Sequence, residues 1–377
     1  MKNGGRQRIV ILGGGFAGVY AARHLEKALG HRDDFEIVLV NKENYFVFQP
    51  MLPEVISGSI GILDTVSPIR RLLPKTVLHV REIEAIDLEQ RAVTTAPGFQ
   101  PHPHRIRFDH LVLALGAVTD FRGLPGLPEH ALPFKNLADA LHLRNHVIRA
   151  LEEAAIEEDE PELRRQLLTF VVAGGGFSGV EVVAELNDFV RGVARSYRGI
   201  DPAEIRVILL HSQERILPEV SEKLALFAQR ILRERGVELR LETRLEAATG
   251  EEAILAGGER IPTRTLVSTV PSSPHPLIEG LDLPKAKNGR LLVTRGLQVQ
   301  STTNVWAVGD CAMVPEPGGE GFCPPTAQHA IRQAKTLAHN VVAAIRGGEP
   351  KTFDFKGLGK MGALGHRSAV AEVFGVN

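Results

Sequence analysis

The amino-acid sequence predicts an α/β protein: two doubly wound, Rossmann-like dinucleotide-binding domains, the second inserted in the first, plus a short C-terminal segment. Two observations carry this. A β-branched run, a glycine-rich turn and a helical segment occur twice, at residues 8–27 (RIVILGGGFAGVYAARHLEK) and 168–188 (LTFVVAGGGFSGVEVVAELND). Late in the chain, a short strand ending on glycine and an acid (NVWAVGDCA, residues 304–312) precedes a helix predicted over 326–345, as if an interrupted first domain were being completed. The length of 377 residues suits two or three ordinary domains. The expected boundaries are 1–125 and 286–348 for the first domain, 126–285 for the second, and 349–377 for the C-terminal segment.

The intervening elements follow from local pattern. Residues 108–117 (FDHLVLALGA) read as a buried strand ending in glycine. Residues 136–155 read as a helix, with Leu137, Leu141, Val147, Ile148 and Leu151 at helical spacing, Asn136 as its N-cap and Asp139 three residues on. The acidic stretch 157–162, broken by Pro161, is expected to be a solvated loop. Strands at 206–210, 237–241 and 265–270 then complete a second nucleotide-binding sheet.

Composition removes several function classes. Lys plus Arg total 44 against 45 Asp plus Glu, a net charge of -1, without the basic excess that neutralises phosphates, so no nucleic acid is expected as a partner. Only Cys311 and Cys323 occur, outside any CxxC, so neither a disulfide framework nor a metal site is expected and a reducing, cytoplasmic compartment fits. No signal-peptide pattern opens the chain, and no apolar stretch approaches the roughly 18 residues that span a bilayer, so any membrane contact is expected to be peripheral.

Gly13, Gly15 and Gly18 form a GxGxxG between strand and helix. The first glycine permits the tight turn, the second admits a pyrophosphate to the backbone, and the third lets helix and strand pack closely. The pyrophosphate would rest on the helix N-terminus, flanked by Phe16 and Ala17. Where a ribose-binding acid usually ends the next strand, this chain has Asn41, followed by Lys42 and Glu43; an asparagine still hydrogen-bonds a ribose hydroxyl. Gly174, Gly176 and Gly179 repeat the fingerprint. Two dinucleotides side by side set a flavin ring against a nicotinamide, and hydride transfer is the simplest chemistry. The second ribose position is His211, with Arg215 nearby; without a carboxylate to repel a 2'-phosphate, NADPH becomes tolerable beside NADH, unless both are exposed turn residues. Glu181 and Glu185 stand one turn apart on the second loop's helix, where a carboxylate suits the helix dipole and also suits proton handling.

Together these motifs resemble the two-dinucleotide-domain flavoproteins, and within them the type II (alternative) NADH:quinone oxidoreductases. The resemblance covers nearly the whole chain, through NKENYFVFQPMLPEVISG (41–58), FDHLVLALGA, GGGFSGVEVVAEL, NVWAVGDCA, PPTAQHAIRQAKTLAHN (324–340) and GLGKMGALGHRSAVAEVFG (357–375). It implies FAD in the first domain, held at the first glycine loop, at Ala114 and Gly116, and at Gly309 and Asp310. Gln49 and Pro50 would lie near the flavin ring, NAD(P)H at residues 174–181, and Glu181 on the nicotinamide and quinone side. Gln328 matches the family's flavin- and quinone-bordering AQxAxQ segment, in which Arg332 replaces the second glutamine. The implied partners are a quinone as electron acceptor, the cytoplasmic face of a membrane and a second copy of the chain as a homodimer. Family members usually continue past the position of Asn377 into an amphipathic membrane anchor, so residues 349–377 are expected to be a membrane-proximal segment that is either truncated or belongs to a member without that anchor. Disulfide reductases and sulfide:quinone oxidoreductases need a cysteine pair near the flavin, which the late Cys311 and Cys323 do not supply; Cys311 reads as a buried small residue. The rival readings are a soluble NAD(P)H-dependent reductase with a non-quinone acceptor and a slow-turnover, redox-responsive flavoprotein.

Overall fold

The computed structural model describes residues 6–29, 33–121, 123–269, 272–319 and 321–373. Val270 at the end of the third predicted strand, Pro271, and the last residues of the 357–375 motif lie outside them. The chain forms two compact units: Met1–Val47, Val66–Val118 and Ser273–Gly357 make the first, and Phe48–Thr65, Thr119–Ser272 and Leu358–Asn377 the second.

The first unit is built on a five-stranded parallel sheet. Its order is Val305–Ala307, His110–Leu113, Gln7–Leu12, Phe35–Asn41, Val77–Val80. The central strand is buried from Ile9 to Leu12, as a parallel strand covered on both faces must be. Helices Phe16–Leu29 and Ala327–Arg346 pack against each other, contributing Val19, Ala22, Leu25, Ala334, Leu337 and Val341 to the core. A three-stranded antiparallel sheet (Ile83–Asp87, Ala92–Thr95, His104–Arg107) completes the unit.

The second unit repeats this plan. Its parallel sheet runs Ala131–Pro133, Thr265–Ser268, Thr169–Ala173, Arg206–Leu210, Val237–Arg240, and its antiparallel sheet comprises Leu245–Ala248, Glu252–Leu255 and Arg260–Pro262. The repetition extends to single hydrogen bonds. Gly13 donates to the Val40 carbonyl and Gly174 to that of Leu210, both at 2.9 Å. Ala114 donates to Leu12 and Thr269 to Ala173, again at 2.9 Å.

Helix Leu137–Ile156 starts on the capping box read from sequence: Asn136 Oδ1 accepts from the Asp139 amide at 3.0 Å, and Asp139 Oδ2 accepts from the Asn136 amide at 3.0 Å. The acidic stretch departs from expectation, because Pro161 takes the first position of a helix, Pro161–Leu167, where its missing N–H costs nothing; Glu162 is therefore helical.

The unit boundaries also differ from the predicted ones. Residues 48–65 belong to the second unit because the short helix Leu52–Ser57 buries Leu52, Val55 and Ile56 against helices Leu137–Ile156 and Phe177–Ala194. Arg144 ties it down, donating to the carbonyls of Val55 and Ile56 at 3.4 and 3.3 Å. The return to the first unit comes at Ser273, since Ile278 and Leu281 sit in that unit's core. The C-terminal segment is divided: Phe353 is buried in the first unit, whereas the hairpin Gly359–Ala363 and Ala369–Val373 belongs to the second.

Candidate active site

At the first glycine loop, Gly13 has φ +104°, and a Cβ there would lie 2.3 Å from the Ala114 carbonyl oxygen. A Cβ on Gly18 would lie 1.8 Å from the Gly13 oxygen, so only glycine lets the helix start this close to the strand. At Gly15 nothing lies within 4 Å of that position, which leaves the backbone open to a ligand. This is the open-and-closed pattern a dinucleotide pyrophosphate needs at the helix N-terminus, and FAD fits it. Phe16 is buried edge-on against Phe46, ring centroids 5.0 Å apart. Asn41 braces the loop, its Oδ1 accepting from the Gly14 amide at 2.8 Å while its Nδ2 donates to the Glu43 carbonyl at 2.9 Å. Lys42 is exposed. Ala114 is buried, and Gly116 has φ +67° with open space beside it.

The GD motif reaches the same end of the sheet. Gly309 has φ +72°, and a Cβ there would stand 3.2 Å from the Ala17 Cβ, so the motif packs directly on the first loop's helix. The Gly309 amide donates to buried Gln333 Oε1 at 2.9 Å, and the Asp310 carbonyl accepts from Arg290 Nε at 2.8 Å. Gln328 lies half-buried in the first turn of helix Ala327–Arg346. Gln49, by contrast, is exposed on the turn Gln49–Met51 and belongs to the second unit.

The second loop repeats the geometry. Gly174 has φ +119°; a Cβ on Gly179 would lie 1.7 Å from its carbonyl oxygen, and at Gly176 the nearest atom is Glu219 Oε1 at 3.5 Å. His211 does what Asn41 does: its Nδ1 accepts from the Gly175 amide at 3.1 Å. Reading His211 as an exposed turn residue is thus corrected, for it is 9% exposed. Burial lowers its pKa, and acceptance at Nδ1 fixes the neutral tautomer with the proton on Nε2.

Glu181, one turn into helix Phe177–Ala194, accepts from the Ala363 amide at 3.2 Å through Oε1. Burial, opposed by that hydrogen bond and reinforced by Glu54 and Glu185, pushes its pKa up to about 7. Glu185 is 4% exposed; burial raises its pKa too, against a 2.6 Å hydrogen bond from Ser57 Oγ to its Oε2. A carboxyl that exchanges its proton near neutrality is suited to general acid–base work.

The sequence profile described as pyridine nucleotide-disulphide oxidoreductase matches residues 7–334. The chain belongs to that family. It is 33% identical over 98% of its length to the type II NADH:quinone oxidoreductase NdhA of Mycobacterium tuberculosis, covering 79% of that protein. It is 28% identical to the type II NADH:quinone oxidoreductase of Staphylococcus aureus, over 98% of this chain and 90% of that one. The solved structure of NDH2 from Plasmodium falciparum in complex with NADH shares the fold, with a TM-score of 0.89 at 20% identity over 98% of this chain and 90% of that one.

Within this family the cysteines set the chain apart from disulfide chemistry. Cys311 is wholly buried, its thiol donating to the Leu113 and Val308 carbonyls at 3.3 Å, and burial pushes its pKa up to about 11. Cys323 is also a buried free thiol. Among the described residues no group of His, Cys, Asp and Glu could hold a metal ion. The Arg332 guanidinium carbon lies over the Phe355 ring, 4.0 Å from its centroid, and the side chain donates to the Gln328 carbonyl at 3.1 Å. The glutamine that grips the GD motif is Gln333, one residue later. Sequence reading missed it, although a buried amide on this helix face was signalled by its spacing from Ala330 and Leu337. Glu54 and Ser57 were missed as well, because only the packing of their helix brings them to Glu181 and Glu185.

Proposed function

We propose that this protein is an FAD-dependent, type II NADH:quinone oxidoreductase. The observation that carries the reading is the duplicated glycine loop, with the same hydrogen bonds and the same steric closure in each unit, which provides two dinucleotide sites in one chain. The quinone acceptor rests on the relatives' named activity. FAD supplies the two-electron carrier. The chain's own residues do the rest: the Gly15 and Gly176 backbones admit the pyrophosphates, Asn41 and His211 hold the loops in shape, and Gln333 fixes the Gly309 turn on the flavin side. Gly309, Asp310 and Gln328 are assigned to FAD, residues 174–181 to NADH, and Glu181 to proton delivery to the quinone.

NADH is assigned as the donor on the relatives' named activity. No helix among the described residues is long and apolar enough to cross a membrane. Peripheral contact on the cytoplasmic face is proposed through exposed apolar side chains of the second unit, Leu63 at 83% and Met361 at 72% exposure among them. The homodimer rests on the family resemblance alone and is read by sedimentation velocity. Steady-state NADH oxidation with a soluble quinone tests the function: turnover that rises with quinone concentration and is weaker with NADPH supports it. Oxidation that ignores added quinone removes the acceptor from the proposal.

A further inference from the structure

Reduction of a quinone by NADH consumes one proton from solvent per turnover: NADH gives two electrons and one hydrogen as hydride, the quinone gains two hydrogens, and NAD+ leaves. That proton needs a route to the group that delivers it.

From the geometry we infer that Glu185 and Ser57 form an outer relay that recharges Glu181 with protons drawn from a solvent cavity in the second unit. This rests on the assignment of Glu181 above. An open cavity of about 360 Å³ at the surface of this unit is lined by Ser57, Ser59, Glu185, Asp188 and His366. Ser59, exposed, has its Oγ 2.8 Å from Ser57 Oγ, and Ser57 Oγ is 2.6 Å from Glu185 Oε2. The cavity thus reaches the edge of a carboxylate that is almost wholly buried, and the Ser59 and Ser57 hydroxyls form a hydrogen-bonded path onto its Oε2. Glu185 stands four residues beyond Glu181 on the same helix, which sets the two on one face with Cβ atoms about 5–6 Å apart.

Glu54 on the facing helix bridges them electrostatically, raising the pKa of both, and its Oε2 is buried without a hydrogen-bond partner among the described residues. The Glu54 charge thus disfavours ionisation of Glu181 and of Glu185 alike, and a proton held on either relieves the same repulsion.

The other charged groups facing this cluster are few. On the helix of Glu181, Asp188 raises the Glu185 pKa, but its own charge is shared with Arg235 in an ion pair and with the His366 amide at 2.7 Å. His366 in the hairpin turn lowers it. From helix Leu137–Ile156, Arg144 is occupied by the Val55 and Ile56 carbonyls and the Phe189 ring, 5.4 Å from its centroid.

The test uses the FAD-loaded enzyme under anaerobic conditions in a stopped-flow instrument, with Glu185→Gln, Ser57→Ala and Glu181→Gln compared across pH 5.5 to 8.5. Glu185→Gln keeps an acceptor for Ser57 but cannot carry the proton. Flavin bleaching by NADH is expected to stay within about twofold of wild type in both relay variants. Reoxidation by a soluble quinone is expected to slow tenfold or more at pH 8.5, to recover toward pH 5.5, and to be restored in Glu185→Gln by rising imidazole buffer. A loss of equal size at every pH, or equal slowing of both half-reactions, overturns the relay, as does unchanged reoxidation in both variants. If Glu181→Gln itself leaves reoxidation untouched, the assignment of Glu181 is the part that fails; if it slows while Glu185→Gln and Ser57→Ala do not, only the relay fails.

Discussion

Replacing Glu181 by Gln should change how the stability of the second unit depends on pH, and the size follows from its surroundings. Its carboxyl is raised from 4.5 to about 7, first by burial and then by Glu54 and Glu185. At 1.36 kcal/mol per tenfold shift, ionising it in the folded protein costs about 3 kcal/mol more than in the unfolded chain, an upper figure because solvent still reaches part of the side chain. Below pH 4.5 the carboxyl is protonated in both states and contributes nothing. Between 4.5 and 7 the folded state holds the extra proton, so stability falls as pH rises; above 7 the full penalty is present. Gln keeps an acceptor for the Ala363 amide and removes the titration. The variant's melting temperature should therefore gain on wild type by several degrees between pH 4.5 and pH 8, taking roughly 2–4 °C per kcal/mol for a unit of this size. Melting curves followed in parallel at both values check this. Curves for the two proteins that stay a constant distance apart would show that Glu181 has an ordinary carboxylate pKa and that the acid–base assignment lacks its physical basis.

Other changes separate binding from folding. Gly18→Ala places a methyl 1.8 Å from the Gly13 oxygen and should cost about 1–3 kcal/mol or more of stability in denaturant unfolding, whereas Gly15→Ala, with nothing within 4 Å, should leave folding nearly intact and lower FAD retention on gel filtration. Gln333→Ala strips the Gly309 amide of its acceptor; a buried unsatisfied donor costs about 1–3 kcal/mol, and the flavin-to-protein ratio after dialysis should drop. Cys311, buried and with its pKa near 11, should not react with a thiol reagent at pH 8 until denaturant is added, so rapid native labelling at Cys311, located by peptide mapping, would contradict its placement.

Much of the fold is legible in the sequence because it is written in short-range pattern. The apolar runs at Ile9–Leu12 and Phe170–Ala173 have the length and continuity of buried parallel strands, and the glycine spacing after each permits one kind of turn. Asn136 and Asp139 announce their capping box three residues apart. What escaped depends on packing between distant segments. Nothing local to Leu52, Val55 and Ile56 says that they will bury themselves on helices more than eighty residues further along, so the stretch 48–65 was expected in the first domain. His211 occupies the position of a ligand-binding acid, yet its environment, the amide of Gly175, makes it a brace for the loop. Asn41 does the same in the first unit, and that parallel becomes visible only when both hydrogen bonds are seen. Gln333 was passed over in favour of Arg332 because one step along a helix turns the side chain by about a quarter turn, from the Phe355 ring into the GD motif.

The central claim, that two dinucleotide sites in this chain pass electrons from NADH through FAD to a quinone, is tested most directly by anaerobic double mixing of the FAD-loaded protein. NADH is added first and a soluble quinone second while flavin absorbance is followed. Bleaching within the first mix and full return of the oxidised spectrum in the second are expected, with one quinone reduced per NADH consumed. A flavin that NADH does not bleach, or that stays bleached when quinone is added, would contradict it.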